Sequence, residues 1–224
     1  MEGKSQQKSW LKLDLNENPY GKIGYSRPED YENARKKIAS LAGVKPNNIV
    51  LTNGSSHALD TIFSFLFSDK ACVLLAVPNF TFYTSFETTK RLRFTKIPYQ
   101  KQQYIEKITG ELKSGVRGIY ISNPNNPIGY LFSKSELQRL ISKAAKNKAL
   151  VIVDEAYFEF SGVTVKNLTK QFANLLIVRT LSKAFGLAGL RAGYIITNPR
   201  LVKVIEGLIK KPLTIGLLAL REIT

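Results

Sequence analysis

The sequence predicts an α/β fold: a mostly parallel sheet with helices on both faces. Three observations point there. Short apolar runs alternate with segments of helical spacing from residue 30 to residue 208. The runs are apolar on both faces, as strands covered from both sides must be. Distinctive polar residues fall just past the ends of those runs, where open α/β sheets place their ligands.

Residues 1–26 read as an arm, with the turn-rich stretch Asn16-Glu-Asn-Pro-Tyr-Gly21. Asp30 to Ala42 has helical spacing, with Ala34, Ile38 and Leu41 on one face, and Gly43 ends it. Ile49–Thr52 is a strand, Asn53–Ser56 a turn, and Ala58–Phe67 a buried helix. Cys72–Val77 is a strand closed by Pro78. Thr81–Thr89 is helical, Leu92–Ile97 a strand and Ile105–Leu112 a helix. Gly118–Ser122 is a strand running into Asn123-Pro-Asn-Asn-Pro-Ile-Gly129. Ser133–Lys146 is a helix opened by the capping box Ser133-Lys-Ser-Glu136. Leu150–Val153 is a strand ending at Asp154, and Leu175–Val178 leads to Thr180. Gly186, Gly189 and Gly193 make the next segment too glycine-rich for a long helix. Gly193–Thr197 is the last strand, and Pro199–Leu208 a helix opened by its proline.

Composition narrows the function. The chain has 224 residues, and 44% hydrophobic content supports a substantial core. No apolar run approaches a membrane span, and the first residues carry no signal-peptide core. One cysteine, Cys72, cannot form an internal disulfide, and the context reads as cytoplasmic. A single histidine, His57, excludes a multi-histidine zinc site and reads as a local hydrogen-bonder. The net charge of +16 raises a nucleic-acid reading. Against it, the basic residues are scattered singly or in pairs, without interleaved aromatics. A positive field suits a phosphorylated cofactor and anionic substrates equally well.

The chemistry centres on Arg179-Thr-Leu-Ser-Lys-Ala-Phe-Gly-Leu-Ala-Gly-Leu-Arg191. Lys183, held past a buried strand, is a candidate for Schiff-base chemistry if burial and nearby cations keep its amine neutral. Arg191 and the hydroxyls of Thr180 and Ser182 suit a phosphate. Pyridoxal 5'-phosphate carries an aldehyde and a phosphate together. Asp154, just past a strand, needs a partner when buried. A pyridinium nitrogen would supply one. A magnesium role for Asp154 would call for a Gly-x-x-x-x-Gly-Lys-Ser/Thr loop, which the sequence lacks. Tyr157 and Asn126 could both reach a ring oxygen. Gly54, Ser55 and Ser56 open a helix whose N–H groups could take a phosphate, although a plain serine cap reads the same way. Phe80 could stack on a ring or simply fill core.

In order, Asn-Glu-Asn-Pro-Tyr-Gly, Asn-Gly-Ser-Ser, Pro-Asn-Phe, Ser-Asn-Pro-Asn-Asn-Pro-x-Gly, Val-Asp-Glu-Ala-Tyr and Arg-Thr-Leu-Ser-Lys-Ala-Phe-Gly-Leu-Ala-Gly-Leu-Arg resemble the fold-type I pyridoxal-phosphate aminotransferases. Within them the likeness is greatest to histidinol-phosphate aminotransferases. It runs from about Leu13 to the last residue. It implies a seven-stranded-type sheet, transamination between histidinol phosphate and 2-oxoglutarate, and a homodimer. Lys183 would bind the aldehyde and shuttle the proton. Asp154 would pair the ring nitrogen, while Tyr157 and Asn126 hold the ring oxygen. Phe80 would stack where the family usually has tyrosine. Ser55, Ser56, Thr180, Ser182 and Arg191 would surround the phosphate, joined by Tyr25 from the neighbouring subunit. Tyr20 would approach the substrate. Ile128 and His57 depart from the family's usual threonine and acidic residue. Residues 27–224 would form the large domain, with most of a small C-terminal domain absent. The rival readings are another fold-type I enzyme, such as an aromatic aminotransferase or a phosphothreonine decarboxylase, and a basic nucleic-acid-binding module without catalysis.

Overall fold

A computed structural model of the chain describes residues 27–99, 104–209 and 215–224. The arm of residues 1–26, with Tyr20 and Tyr25, lies outside them.

Among the described residues seven strands form one sheet: β1 (Ile49–Thr52), β2 (Cys72–Val77), β3 (Arg93–Pro98), β4 (Val116–Ser122), β5 (Leu150–Asp154), β6 (Leu175–Thr180) and β7 (Gly193–Ile196). Their spatial order is β1-β7-β6-β5-β4-β2-β3. All the pairings from β6 through β5, β4 and β2 to β3 are parallel. β7 is antiparallel to both β1 and β6. Those two reversals make β1 parallel to the rest, so its carboxyl end lies on the same sheet edge as theirs. Apolar periodicity reports which faces are buried and is silent on strand direction, so the reversal of β7 is new information. The edge strand β3 is mostly exposed, apart from Ile97.

Among the described residues eight α-helices surround the sheet: α1 (Pro28–Ala42), α2 (Gly54–Phe65), α3 (Thr84–Thr88), α4 (Tyr104–Gly110), α5 (Lys134–Lys146), α6 (Phe158–Ser161), α7 (Pro199–Leu208) and α8 (Leu217–Ile223). Alternate strand residues feed two cores. Leu74, Ile119, Ile121, Val151, Val153 and Ile177 join residues of α1, α4, α5 and α8. Val73, Leu75, Tyr120, Ile152, Leu176 and Val178 join α2 and α7 on the other face. A sheet buried on both sides explains why its strands read as continuous apolar runs.

The predicted boundaries hold to within a few residues, with four corrections. The buried arc of α1 runs through Tyr31, Ala34, Ile38 and Ala42, so Leu41 falls at its edge and is 54% exposed. α2 begins at Gly54 instead of Ala58, because the chain turns at Gly54 (φ +75°) and enters the helix directly. It ends at Phe65, itself exposed, rather than Phe67. The stretch from Thr81 begins as a tight 3-10 turn before α3. The turns at 46–48, 166–170 and 188–190, with α6 and α8, have too few residues to show a period.

Candidate active site

One pocket opens at the carboxyl edge of the sheet. It is lined by Ser55, Ser56, Phe80, Ser122, Asn126, Asp154, Ala156, Tyr157, Thr180, Ser182, Lys183 and Arg191. Five strands deliver these residues. The loop after β1 brings Ser55 and Ser56, that after β2 brings Phe80, and that after β4 brings Asn126. β5 ends in Asp154 with Tyr157 close behind, and β6 ends in Thr180 before Ser182 and Lys183. The predicted residues with described positions therefore converge. Gly54 stands beside the pocket, beneath Arg191.

The surroundings of Arg191 are built by close approach. A β-carbon on Gly54 would meet the Arg191 guanidinium at 3.2 Å, so the arginine crosses the start of α2 because position 54 is glycine. Arg191 itself has left-handed backbone (φ 51°, ψ 43°), a conformation costly for arginine that recurs at functional sites. Among the described residues no carboxylate pairs with Arg191. The Ser182 hydroxyl is buried and has no partner among them. Its backbone N–H donates to Thr180 Oγ1 (3.1 Å), which fixes the turn. An unpaired guanidinium, an orphaned hydroxyl and the amino end of a helix make an anion-binding corner.

The pocket also holds an acidic group. Asp154 is only 6% exposed. The Tyr120 hydroxyl donates to its Oδ2 at 2.8 Å, and the Ala156 N–H to Oδ1 at 3.0 Å. Burial raises the proton affinity of this carboxyl, while those two bonds and the charge of Lys183 oppose the rise. No cation forms an ion pair with Asp154 among the described residues.

Lys183 also lines the pocket, its Nζ 5.4 Å from the Tyr157 ring centroid. Lys183 is exposed at the pocket mouth, which corrects the expectation of burial. It lies beyond the end of β6, in a turn whose residues 183–186 all face outward. Phe80 is 43% exposed and lines the pocket, which removes the core reading for it. In the Asn-Pro loop, Asn123 bonds the backbone of Phe132 and Asn125 that of Pro78 and Ile128. Asn126 takes part in none of these bonds and lines the pocket. His57 accepts from the Asn53 N–H at 3.2 Å, a local bond at the start of α2.

Sequence reasoning missed the supports. Glu155, fully buried, accepts from Arg179 Nε and Nη2, from Thr164 and from the Val165 N–H, at 2.8 to 3.0 Å. Burial raises the proton affinity of Glu155, while the Arg179 charge and the four donors oppose the rise. This pair ties the turn after Asp154 to β6. Arg179, a charged residue inside the otherwise apolar β6, was the one available signal, and it does not name its partner. Tyr120, Ser122 and Ala156 carried no sequence signal beyond position.

A histidinol-phosphate aminotransferase of Sulfurisphaera tokodaii is 34% identical over 86% of this chain. Among solved structures, the histidinol-phosphate aminotransferase of Clostridium acetobutylicum covers 90% of it with a TM-score of 0.79 at 26% identity. The L-threonine-O-3-phosphate decarboxylase of Porphyromonas gingivalis covers 89% with a TM-score of 0.75 at 27% identity. The chain spans 59% to 62% of the length of these three proteins. The profile of the family described as "Aminotransferase class I and II" matches residues 13–214, nearly the whole chain, and the chain belongs to that family.

Proposed function

We propose that residues 27–224 form the large, cofactor-binding domain of a pyridoxal-phosphate-dependent aminotransferase, with residues 1–26 as its arm. The favoured amino donor is histidinol phosphate and the acceptor 2-oxoglutarate. The observation that carries this reading is the set of groups that line one pocket. A buried carboxylate with no ion-pair partner among the described residues, an arginine over a helix start and a lysine all line it. Pyridoxal 5'-phosphate matches that set with a basic ring nitrogen, an aldehyde and a phosphate. The residues fit the group: the orphaned Ser182 hydroxyl and the shelf over Gly54 both suit a phosphate.

When bound, the cofactor supplies an electron-withdrawing ring that stabilises negative charge on the substrate carbon. The protein's part is to hold and to move protons. Arg191, Ser182, Ser55, Ser56 and Thr180 anchor the phosphate. Asp154 keeps the ring nitrogen protonated. Tyr157 and Asn126 orient the ring oxygen, and Phe80 covers a ring face. The Lys183 amine would hold the cofactor at its aldehyde and would carry the proton to and from the substrate carbon. Tyr20 approaches the substrate, and Tyr25 completes the phosphate site of a neighbouring subunit in a homodimer. Exposed apolar residues near the pocket, Phe160 (71%), Ile128 (42%) and Phe185 (39%), support a partner covering that face. No helix among the described residues is long and apolar enough to cross a membrane, and the proposed location is the cytoplasm.

Two rivals make different predictions. The likeness to the phosphothreonine decarboxylase favours a second reading, in which the same pocket releases carbon dioxide. The nucleic-acid reading would draw on basic surfaces such as the solvent face of α5, where Arg139, Lys143 and Lys146 line one hollow and Arg139 already meets Glu106 at 3.3 Å. The test is to assay the natural gene product containing this chain. Amino transfer from histidinol phosphate to 2-oxoglutarate is expected. Carbon dioxide release from phosphothreonine without transfer supports the second reading instead.

A further inference from the structure

Tyr120 lies outside the pocket and touches no reacting group, yet it is the residue on which Asp154 rests. It sits on β4, in register with Ile152 of β5, while Ser122 of β4 pairs with Asp154 itself. Its side chain points into the core shared with α2 and is fully buried. Phe82 packs against its ring at 4.6 Å between centroids, and Phe63 meets it edge-on at 6.0 Å. That packing fixes the ring, and the hydroxyl ends 2.8 Å from Asp154 Oδ2. A neutral core position would hold phenylalanine equally well. A buried tyrosine whose hydroxyl is spent on one carboxylate calls for an explanation.

The bond has a direction. An ionised carboxylate only accepts, so Tyr120 donates. The Ala156 N–H donates to the other oxygen, so each oxygen of Asp154 has one fixed donor. The groups that face Asp154 are Tyr120 from β4, the Ala156 N–H from its own turn and the charge of Lys183 from beyond β6. Glu155, the next residue, is turned away and bound by Arg179. Burial works against the charge on Asp154, and the hydroxyl works for it. Burial likewise raises the Tyr120 phenol well above the ordinary range, so it stays a proton donor.

We propose that Tyr120 is a positioning residue for the reaction. Its buried hydroxyl holds the Asp154 carboxylate in one orientation and in its charged form, ready to pair with a cationic ring nitrogen. This rests on the proposed role of Asp154. Tyr120→Phe removes one oxygen and keeps the packing. The side-chain carboxyl of Asp154, followed by carbon-13 NMR in the full chain with and without pyridoxal phosphate, is expected to titrate at higher pH in this variant. In the loaded enzyme, kcat is expected to fall roughly ten- to hundredfold, the scale of one lost bond to a charged group. The acid limb of the kcat profile moves up with it, and KM changes less. A second variant, with 3-fluorotyrosine at position 120, makes the hydroxyl a stronger donor and is expected to move the Asp154 titration down.

An unmoved titration in both variants, with an unmoved acid limb, overturns the inference. So does a Tyr120→Phe enzyme that loses activity with no change in the pH profile, because lost packing alone does that. Asp154→Asn separates the two levels. If it retains turnover, the proposed function of the pocket falls, and the part given to Tyr120 falls with it. If it loses turnover while Tyr120→Phe behaves as wild type, only the inference fails.

Discussion

Gly193→Ala is the smallest change that should reach the site through the fold. A β-carbon at position 193 would lie 2.6 Å from the Gly54 carbonyl carbon, 2.8 Å from the Gly54 Cα and 2.8 Å from the Arg179 oxygen. Ordinary carbon contacts are about 3.5–4.0 Å, so the shortfall is roughly 1 Å. All three atoms are backbone, and no rotamer can relieve them. β7 is hydrogen-bonded to β1 on one side and β6 on the other, with Gly193 opposite Thr52 and Thr180. The start of α2 is the part left to move, and it carries Gly54, Ser55 and Ser56. Overpacking of this kind costs about 1–3 kcal/mol. For a chain of this size that lowers Tm by about 2–12 °C. Withdrawal of the helix start from the phosphate should weaken pyridoxal phosphate binding by about tenfold or more. Thermal unfolding and a fluorescence titration with the cofactor measure both. Gly207→Ala is the control, since nothing lies within 4 Å of a β-carbon there, and a helical alanine should leave Tm unchanged or slightly raised. Wild-type Tm and cofactor affinity in Gly193→Ala would refute the reasoning.

Other changes have equally definite outcomes. Arg179→Leu leaves Glu155 buried without its cation and should cost about 3–5 kcal/mol in chemical denaturation; the double variant with Glu155→Leu should recover much of that loss. Arg191→Ala should weaken pyridoxal phosphate by about 10–100-fold in a binding titration, the scale of one charge-assisted contact. Asp154→Asn should raise the Tm of the cofactor-free chain at neutral pH. Burial lifts the Asp154 carboxyl above its unfolded value, so its favourable contribution belongs to acid pH and is lost as pH rises through the folded value. The advantage of asparagine should therefore shrink as pH falls into the carboxylate range; an advantage that grows there contradicts the sign.

The fold was readable from residues because the sheet, apart from its edge strand β3, is buried on both faces, so those strands announced themselves as apolar runs bounded by turns. The direction of β7 was not, because reversing a strand changes its partners and leaves its burial unchanged. The pocket was readable through one regularity: Ser55, Phe80, Asn126, Asp154 and Lys183 each follow a strand, and parallel strands carry such residues to one edge. What escaped was the layer beneath. Tyr120 looks like any aromatic in a strand, and only the register of β4 against β5 brings its hydroxyl to Asp154. The Glu155–Arg179 pair is split across 24 residues, a separation that no local pattern reveals. The exposure of Lys183 follows from the outward path of residues 183–186, which glycine content hinted at without fixing.

The central claim is that Lys183 is the residue to which the cofactor is joined. The direct measurement is to load the chain with pyridoxal phosphate, reduce it with borohydride, digest it and map the modified lysine by mass spectrometry. The account predicts the added mass on the peptide containing Lys183 and its loss in Lys183→Ala. A label on a different lysine at one equivalent, with Lys183 unmodified, would contradict it.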